Sequence, residues 1–380
     1  MDTPIIRYQE EAIKKKLLPN KVVVLIGARR IGKTELIKKI VSETEEKTMF
    51  LTGDDLSTHQ ILKNRTLENY NRLLGDCRFL VIDEAQEIPD IGMKLKLMID
   101  HISGLKILIS GSSAFELHNQ TGEPLVGRQY VFQMYPLSQL EFSARENYIE
   151  TKNKLEERLI YGGYPELTKI PNLKDKADYL KDIVSSYLLK DILSFEGIKK
   201  RDVIISLLQK IAFRSGYEIS VQSLGNELQI SKNTVDKYLD LFKKVFIIYD
   251  VSGFNKNKDN EITKMKKWFF TDTGIRNAMI NNFSPLNMRT DVGQLWENYL
   301  NSERNKVVHY KNLQVDSYFW RTHSQQEIDR IETINNDISA FEYKWDSSKK
   351  EKIPPQFAKT YPNAQFTTIN QENYLDFIVF

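Results

Sequence analysis

The first 145 residues alternate short apolar runs with amphipathic segments, an order that is typical of a parallel β-sheet covered by helices. The apolar runs are rich in β-branched residues, as expected of strands that are buried on both faces. Helices are predicted over residues 7–18, about 33–43 and 56–75. The predicted strands are Val22–Ile26, Thr48–Leu51, Phe79–Ile82, Lys106–Ile109 and Tyr130–Tyr135.

The middle of the chain is mainly helical in pattern. Residues 143–195 are predicted to form a small helical lid, interrupted at Tyr161–Leu167, where two glycines and a proline cannot continue a helix. A helix at about 203–213 and a short one at 221–228 follow. Ser231 is placed to cap a further helix. With the strand Val245–Val251 and the loop that ends at Trp268–Phe270, this order resembles a winged helix.

The last 110 residues return to a mixed pattern. A helix is predicted at about 291–304, and strands are predicted at Ser317–Arg321, Glu327–Ile331 and Ile338–Trp345. The apolar segment Tyr374–Phe380 is expected to be a closing strand. The chain is therefore predicted to be an α/β protein that begins with a parallel sheet and ends with a second α/β domain.

Composition limits the number of domains and the class of protein. The 380 residues exceed what one ordinary core accommodates, so two or three domains are expected. Hydrophobic residues make up 41% and charged residues 28% of the chain, which excludes a disordered or fibrous protein. The net charge of +3 neither requires nor excludes nucleic acid, so local basic patches decide that question.

The location of the protein is predicted from its cysteine and its apolar runs. The single cysteine, Cys77, excludes an intramolecular disulfide and fits a reducing compartment. The amino-terminal residues lack the basic and apolar regions of a signal peptide, and no apolar run approaches the ~18 residues of a membrane span. We therefore expect a cytoplasmic protein with no membrane partner.

A glycine-rich loop lies between the first predicted strand and a helix. Its residues are Gly27, Ala28, Arg29, Arg30, Ile31, Gly32, Lys33 and Thr34, and Glu35 continues the helix. The spacing matches a P-loop, in which backbone N–H groups and a helix N-terminus bind the phosphates of ATP. Lys33 is expected to contact the β- and γ-phosphates, and the Thr34 hydroxyl is expected to ligate Mg²⁺. A glycine-rich turn without function is the alternative.

Two acidic residues follow the third predicted strand. Asp83 and Glu84 come after four apolar residues, which is typical of a buried strand that ends at a catalytic edge. Asp83 is expected to hold Mg²⁺ through water, and Glu84 is expected to polarise the water that attacks the γ-phosphate. The alternative, an acidic pair on the surface, is weakened by the P-loop upstream.

These two motifs resemble the AAA-type branch of P-loop ATPases over about residues 5–145. The resemblance implies a polar residue that senses the γ-phosphate after the fourth strand, with Ser112 as first choice and Ser110 as second. It also implies an arginine before the fifth strand that reaches a neighbouring subunit's nucleotide, and Arg128 occupies that position. A serine-rich turn and a surface or salt-bridged arginine are the alternatives. An arginine finger that acts between subunits requires a homo-oligomer.

The segment that resembles a winged helix carries basic residues. The predicted exposed positions of its second helix include Lys232, Asn233, Thr234 and Lys237, residue types that suit phosphates and base edges. Further lysines form a basic wing at Lys256, Lys258, Lys264, Lys266 and Lys267. This charge favours DNA as a partner. A protein-contact or lid module with solvated lysines is the alternative.

Charged residues of the C-terminal strands are predicted to meet at one place. Glu342 and Lys344 are two residues apart and leave the same face of their strand, as do Glu327 and Asp329 on the preceding strand. Two carboxylates with a lysine suit Mg²⁺ and an activated water. The pattern resembles a restriction-endonuclease-like domain. That resemblance implies that Asp329 and Glu342 bind the metal, that Lys344 orients the water, and that the helix residue Glu297 supports either one.

The whole chain resembles prokaryotic ATP-binding proteins that join an AAA-type domain, a winged helix and a nuclease-like domain. The implied domains are the ATPase at 1–142, the lid at 143–195, the winged helix at 196–270 and the nuclease-like domain at 271–380. One resulting hypothesis is an Mg²⁺-dependent ATPase that acts on or is gated by DNA, with a metal-dependent nuclease domain. The other is a nucleotide-dependent switch that binds DNA or a protein partner without nuclease activity. A divalent metal at the C-terminal carboxylates would distinguish them.

Overall fold

The computed structural model has two compact units. They comprise Met1–Pro136 with Lys244–Phe246, and Leu137–Lys243 with Ile247–Phe380. The structure describes residues 5–112, 124–188, 192, 201–254, 266–322, 324–335, 337–349 and 351–379. A parallel sheet lies in the first unit and a second sheet lies in the other, which confirms the predicted α/β fold class.

Five parallel strands form the sheet of the first unit, in the spatial order β2-β3-β4-β1-β5. The strands are β1 Lys21–Ile26, β2 Thr48–Thr52, β3 Phe79–Asp83, β4 Lys106–Gly111 and β5 Gln129–Gln133. The helices are Glu10–Lys16, Lys33–Ser42, Leu56–Ile61, Leu67–Leu74 and Ile91–His101, with a 3-10 turn at Ala85–Glu87. Because all the strands run in one direction, the loops that follow them meet at one edge of the sheet.

The helices of the second unit lie before, between and after the strands of its sheet. They span Gln139–Ser143, Tyr148–Asn153, Leu155–Tyr161, Leu173–Asp182, Arg201–Phe213, Val221–Leu228, Lys232–Lys244, Thr273–Met279, Val292–Tyr310, Pro355–Thr360 and Tyr374–Ile378. Shorter turns lie at Pro165–Thr168 and Leu286–Met288, and a π-helical segment spans Ile183–Leu188. In the described parts of the chain, no helix is both long and apolar enough to cross a membrane.

Two helices, Val221–Leu228 and Lys232–Lys244, lie where the sequence predicts the helix-turn-helix elements. Ser231 caps the second helix as expected, because its Oγ accepts a hydrogen bond from Thr234 N at 3.1 Å.

The second sheet contains six strands in the order β11-β10-β9-β8-β6-β7. They are β6 Ile248–Gly253, β7 Lys266–Phe270, β8 Asp316–Arg321, β9 Glu327–Ile334, β10 Asp337–Tyr343 and β11 Gln365–Ile369. The antiparallel pair β6 and β7 follows the helix-turn-helix segment, and β6 also pairs in parallel with β8. The domain border predicted at residue 270 therefore falls between β7 and β8 and divides one sheet.

Two sequence predictions about this unit are wrong. The chain end was expected to be a closing strand, but Tyr374–Ile378 is a helix that buries Tyr374, Phe377 and Ile378, at helical spacing. Lys267 was assigned to the basic wing, but it lies in β7 and is only 1% exposed. Lys266 is exposed, whereas Lys267 and the three residues that follow it in β7 are all buried. The wing residues Lys256, Lys258 and Lys264 lie outside the described residues.

A buried ion cluster connects several segments of the second unit. Arg276 pairs with Asp291 and also donates from Nε to the carbonyl oxygen of Ala212 at 3.0 Å. Arg289 Nη2 donates to Asp291 Oδ2 at 2.8 Å. Both arginines are buried, so Asp291 is the carboxylate that compensates two guanidinium groups.

We expect the stabilising effect of Asp291 to disappear at low pH. Burial raises its pKa, but hydrogen bonds and charge from Arg289 and Arg276 outweigh burial and lower the pKa from 3.8 to about 2. A carboxyl with a depressed folded pKa stabilises the protein above its unfolded pKa, and this effect is lost as the pH falls through the folded value. The difference in unfolding free energy between the native protein and Asp291→Asn, measured in urea, should therefore shrink from pH 4 to pH 2. The exposed Asp202→Asn is the control, and a constant difference for Asp291→Asn would contradict this explanation.

Candidate functional site

The glycine-rich loop joins β1 to the helix Lys33–Ser42. Gly27 has a φ of +150°, and a Cβ there would lie 2.5 Å from the carbonyl oxygen of Met134, so a side chain does not fit. Gly32 precedes the helix at a φ of +93°. The Lys33 ammonium donates to the carbonyl oxygens of Gly27 and Ala28, both at 2.9 Å. Backbone that curves tightly around an ammonium group at a helix N-terminus is suited to phosphate oxygens.

The predicted magnesium ligands Thr34 and Asp83 lie next to each other. Thr34 Oγ1 donates to Asp83 Oδ2 at 2.7 Å, and Ser110 Oγ donates to the other carboxylate oxygen. Ser110 lies at the end of β4, the strand between β1 and β3, and therefore reaches the ends of both motifs. A hydroxyl and a carboxylate are oxygen ligands of the kind that Mg²⁺ prefers. The residues present thus fit the predicted ion.

Glu84 directly follows β3 and has a left-handed backbone, with a φ of +48°. Its N–H donates to Ser110 Oγ at 3.1 Å. Its carboxylate Oε2 accepts a hydrogen bond from Gln86 Nε2 at 2.7 Å, and the same amide nitrogen lies 3.3 Å from Ser112 Oγ. A left-handed non-glycine residue costs about 1–3 kcal/mol and is concentrated at functional sites. Both candidate sensor serines therefore belong to the surroundings of the acidic pair.

Arg128 lies at the amino-terminal end of the parallel strands, whereas the glycine-rich loop follows the carboxyl end of β1. It precedes β5, in which Gln129 is the partner of Val22 near the start of β1. Along β1, Val22 and Gly27 are separated by roughly 17 Å, at about 3.3 Å per residue. Arg128 Nε donates instead to Asp100 Oδ1 at 2.7 Å. Arg128 is too far away to contact the nucleotide of its own chain, and a role between subunits stays a prediction.

The other predicted loop residues differ in exposure. Arg30 is exposed and has a left-handed φ of +61°, whereas Arg29 is half-buried and Ile31 is buried. Glu35 is exposed and pairs with Lys38 at 3.3 Å, so it belongs to the outer face of the helix.

One residue that supports the loop was missed in the sequence. Arg7 donates from Nη1 to the carbonyl oxygen of Ile31 at 2.5 Å and from Nη2 to that of Tyr135 at 2.6 Å. It thereby joins the glycine-rich loop to the chain after β5. The sequence around Arg7 contains no motif, and its two acceptors are backbone atoms, so no local pattern predicts this role.

The C-terminal strands bring the predicted charged residues together. Asp329 Oδ2 on β9 accepts a hydrogen bond from Tyr343 N on β10 at 2.8 Å. Lys344 Nζ lies 2.9 Å from Glu342 Oε1. Burial and repulsion from Asp329 raise the pKa of Glu342 to about 7, although Lys344 opposes the shift. Burial also raises the pKa of Asp329.

Lys267 joins this group, together with Glu297 from the helix Val292–Tyr310. Its Nζ lies 2.9 Å from Glu297 Oε1, contacts Glu327 and lies 4.0 Å from Asp329 Oδ1. Burial raises the pKa of Glu297 to about 8, even though Lys267 lowers it. We call Glu297, Glu327, Asp329 and Glu342 the carboxylate cluster.

The carboxylate cluster does not have the form of a metal site. Among the residues that the structure describes, no group of three or more histidine, cysteine, aspartate or glutamate side chains could hold a metal ion. The predicted ligands Asp329 and Glu342 instead accept hydrogen bonds from Tyr343 N and from Lys344. The metal-binding role predicted for these two carboxylates thus gains no support from the geometry.

Three sequence families match successive parts of the chain. The AAA domain family matches residues 19–143, which contain the glycine-rich loop and the Asp83–Glu84 pair. Two domains of unknown function, DUF8612 and DUF4143, match residues 152–286 and 292–375. The first unit thus contains an AAA-type P-loop domain.

The chain is similar along most of its length to uncharacterised proteins. One from Methanocaldococcus jannaschii is 25% identical, over 94% of this chain and 82% of its own length. One from Haemophilus influenzae is 27% identical, over 75% of this chain and 73% of its own length.

Similar solved structures include the Thermotoga maritima RuvB Holliday junction branch migration motor. It is 17% identical, with a TM-score of 0.33, over 63% of this chain and 85% of that protein. The replication initiator DnaA bound to AMPPCP and single-stranded DNA is 14% identical, with a TM-score of 0.30, over 62% of this chain and 86% of that protein.

Proposed function

We propose that the first unit binds ATP with Mg²⁺ and hydrolyses it. The observation that carries this proposal is the hydrogen bond of 2.7 Å between Thr34 Oγ1 and Asp83 Oδ2, which joins the P-loop to the acidic strand end. Lys33 exchanges its two carbonyl acceptors for phosphate oxygens when ATP binds. The bound ion supplies positive charge to the phosphates as they react.

Glu84 is the residue that we propose as the activator of water. Its carboxylate follows Asp83 directly, and Gln86 holds one of its oxygens at 2.7 Å. Ser110 contacts both Asp83 and the N–H of Glu84, so the metal-holding and water-polarising residues share one support. A base that is oriented in this way accepts a proton from water without first having to reorganise.

The Thr34 hydroxyl provides a direct test of the magnesium site. Thr34→Val keeps the shape of the side chain but removes the oxygen, and it should raise the Mg²⁺ concentration for half-maximal ATP hydrolysis on the order of 10–100-fold. Thr34→Ser keeps the oxygen and should remain close to the native protein. Hydrolysis rates measured across a magnesium titration check this prediction. An unchanged magnesium requirement in Thr34→Val would remove the hydroxyl from the proposed site.

We propose DNA as the partner of the helix-turn-helix segment. The first two turns of the helix Lys232–Lys244 expose Lys232, Asn233 and Lys237. The same helix also exposes Asp236 and Asp240, which reduces its positive charge. The inward position of Lys267 removes one wing lysine from the surface, and Lys266 pairs with Asp250 at 2.6 Å. The proposed contact therefore centres on the start of this helix.

DNA affinity is expected to fall in the double variant Lys232→Ala/Lys237→Ala. Each lost phosphate contact should reduce the slope of log affinity against log salt by about 0.9 on duplex DNA. Fluorescence anisotropy across a salt series, with and without ATP, measures this slope. Lys174→Ala/Lys181→Ala removes two exposed lysines elsewhere in the same unit and is the matched control. Equal slopes in both variants would count against this surface.

A metal-dependent nuclease is the competing proposal for the C-terminal part. It is supported by the approach of Asp329, Glu342 and Lys344 within one sheet, and it is opposed by the position of Lys267. Linear, single-stranded and branched DNA incubated with Mg²⁺ or Mn²⁺ test it. Cleavage that is lost in Lys344→Ala would establish the nuclease.

A further inference from the structure

We propose that the Lys267 ammonium is the resident cation of the carboxylate cluster and replaces a divalent metal there. The residues of the cluster belong to the second unit and those of the glycine-rich loop to the first, and this inference does not depend on ATP hydrolysis. According to this inference, the carboxylates of the C-terminal part form ion pairs within the chain and do not bind a metal ion for cleavage.

The position of Lys267 is the first support for this assignment. Its side chain is 1% exposed, and its Nζ lies 2.9 Å from Glu297 Oε1 and 4.0 Å from Asp329 Oδ1, with Glu327 also in contact. An ammonium group has three N–H donors, and here carboxylates from a helix and from β9 surround it. Lys267 thus occupies the centre on which these carboxylates converge.

The charge of the cluster is the second support. Glu342 pairs with Lys344 at 2.9 Å, and Arg321 Nε lies 3.5 Å from Glu327 Oε2. Four carboxylates are thereby matched with three cationic side chains of the same chain. Mg²⁺ needs several oxygens at about 2.0–2.1 Å in a near-octahedral arrangement. A divalent ion would first have to displace an ammonium group whose own strand is fixed in the sheet, with Lys267 opposite Val251.

The covering of the cluster is the third support. Gly216, in the loop before the helix Val221–Leu228, has a φ of +84°, and a Cβ there would lie 2.6 Å from Glu297 Oε2. Its N–H donates to the carbonyl oxygen of Trp268 at 3.2 Å, next to Lys267. Backbone of the loop that precedes the helix Val221–Leu228 therefore packs directly against the Glu297 carboxylate.

Tryptophan-sensitised terbium luminescence tests this inference in the full chain without nucleotide. The four tryptophans are Trp268, Trp296, Trp320 and Trp345. All of them belong to the second unit, which also contains the carboxylate cluster, so emission excited through tryptophan reports ions that are bound close to these residues. We expect no saturable signal from the native protein. We expect Lys267→Met to show a saturable terbium signal, and we expect Mn²⁺ to compete with terbium for that site. The double variant Lys267→Met/Glu297→Gln should lose the signal.

The control is Lys266→Met, which removes the neighbouring, exposed lysine of the same strand and should gain no signal. A saturable signal from the native protein that disappears in Asp329→Asn would overturn the inference. So would a folded Lys267→Met that gains no terbium or Mn²⁺ binding. If Lys267→Met does not fold, the comparison of terbium titrations of the native protein and of Asp329→Asn still tests the inference. Thermal unfolding adds a second measurement, since Mn²⁺ should raise the Tm of Lys267→Met and leave that of the native protein unchanged.

Discussion

Glu84→Gln is expected to lower ATP turnover by about 10²–10⁴-fold while ATP binding remains close to that of the native protein. The substitution keeps the size of the side chain, and its amide can still contact Gln86, but it cannot accept a proton from water. Asp83, Thr34 and Lys33 remain in place to bind the metal and the phosphates. Phosphate release under single-turnover conditions, together with nucleotide binding measured by calorimetry, separates the two effects.

The control for this prediction lies three residues further along. Glu87 is exposed at the end of the same 3-10 turn, so Glu87→Gln makes the same change of charge near the site. It should leave turnover within a few-fold of the native rate. Equal losses in both variants would indicate a general electrostatic effect, and an active Glu84→Gln would require a different base.

The residues of the proposed nucleotide site could be identified in the sequence because they belong to short, local motifs. The P-loop and the Asp83–Glu84 pair each lie at a strand end, and parallel strands bring those ends to one edge. Thr34 contacts Asp83 directly, and Ser110 of β4, the strand between β1 and β3, contacts the acidic pair. The sequence identified the serines of this strand, but the contacts of Ser110 with Asp83 and of Ser112 with Gln86 are set by strand order, which the motifs do not contain.

The carboxylate cluster was predicted only in part, for a different physical reason. Alternation along β9 and β10 correctly grouped Asp329, Glu342 and Lys344. Lys267 was missed because β7 was taken as part of a basic loop, where adjacent lysines are expected to be solvated. Its partners Glu297 and Glu327 lie 30 and 60 residues further along the chain. Ion pairs between residues that are so far apart in the sequence do not produce a periodic pattern.

The helix at the chain end shows a third limit. Tyr374–Ile378 is too short for apolar periodicity to separate a helix from a strand, and its apolar residues suit both. Burial decides the outcome here, because Tyr374, Phe377 and Ile378 face the core only at helical spacing. Arg7 is comparable, since its role depends on two carbonyl oxygens that any residue could supply.

Lys33→Met is expected to reduce ATP hydrolysis on the order of 10²–10³-fold and to weaken ATP binding as well. Methionine preserves the apolar stem but removes the ammonium that the Gly27 and Ala28 carbonyls now hold at 2.9 Å. Because the lost charge acts on both bound and reacting phosphates, affinity and turnover should fall together, unlike in Glu84→Gln. Lys38→Met, on the exposed face of the same helix, is the matched control. If Lys33→Met bound and hydrolysed ATP like Lys38→Met, the glycine-rich loop would not be the phosphate site.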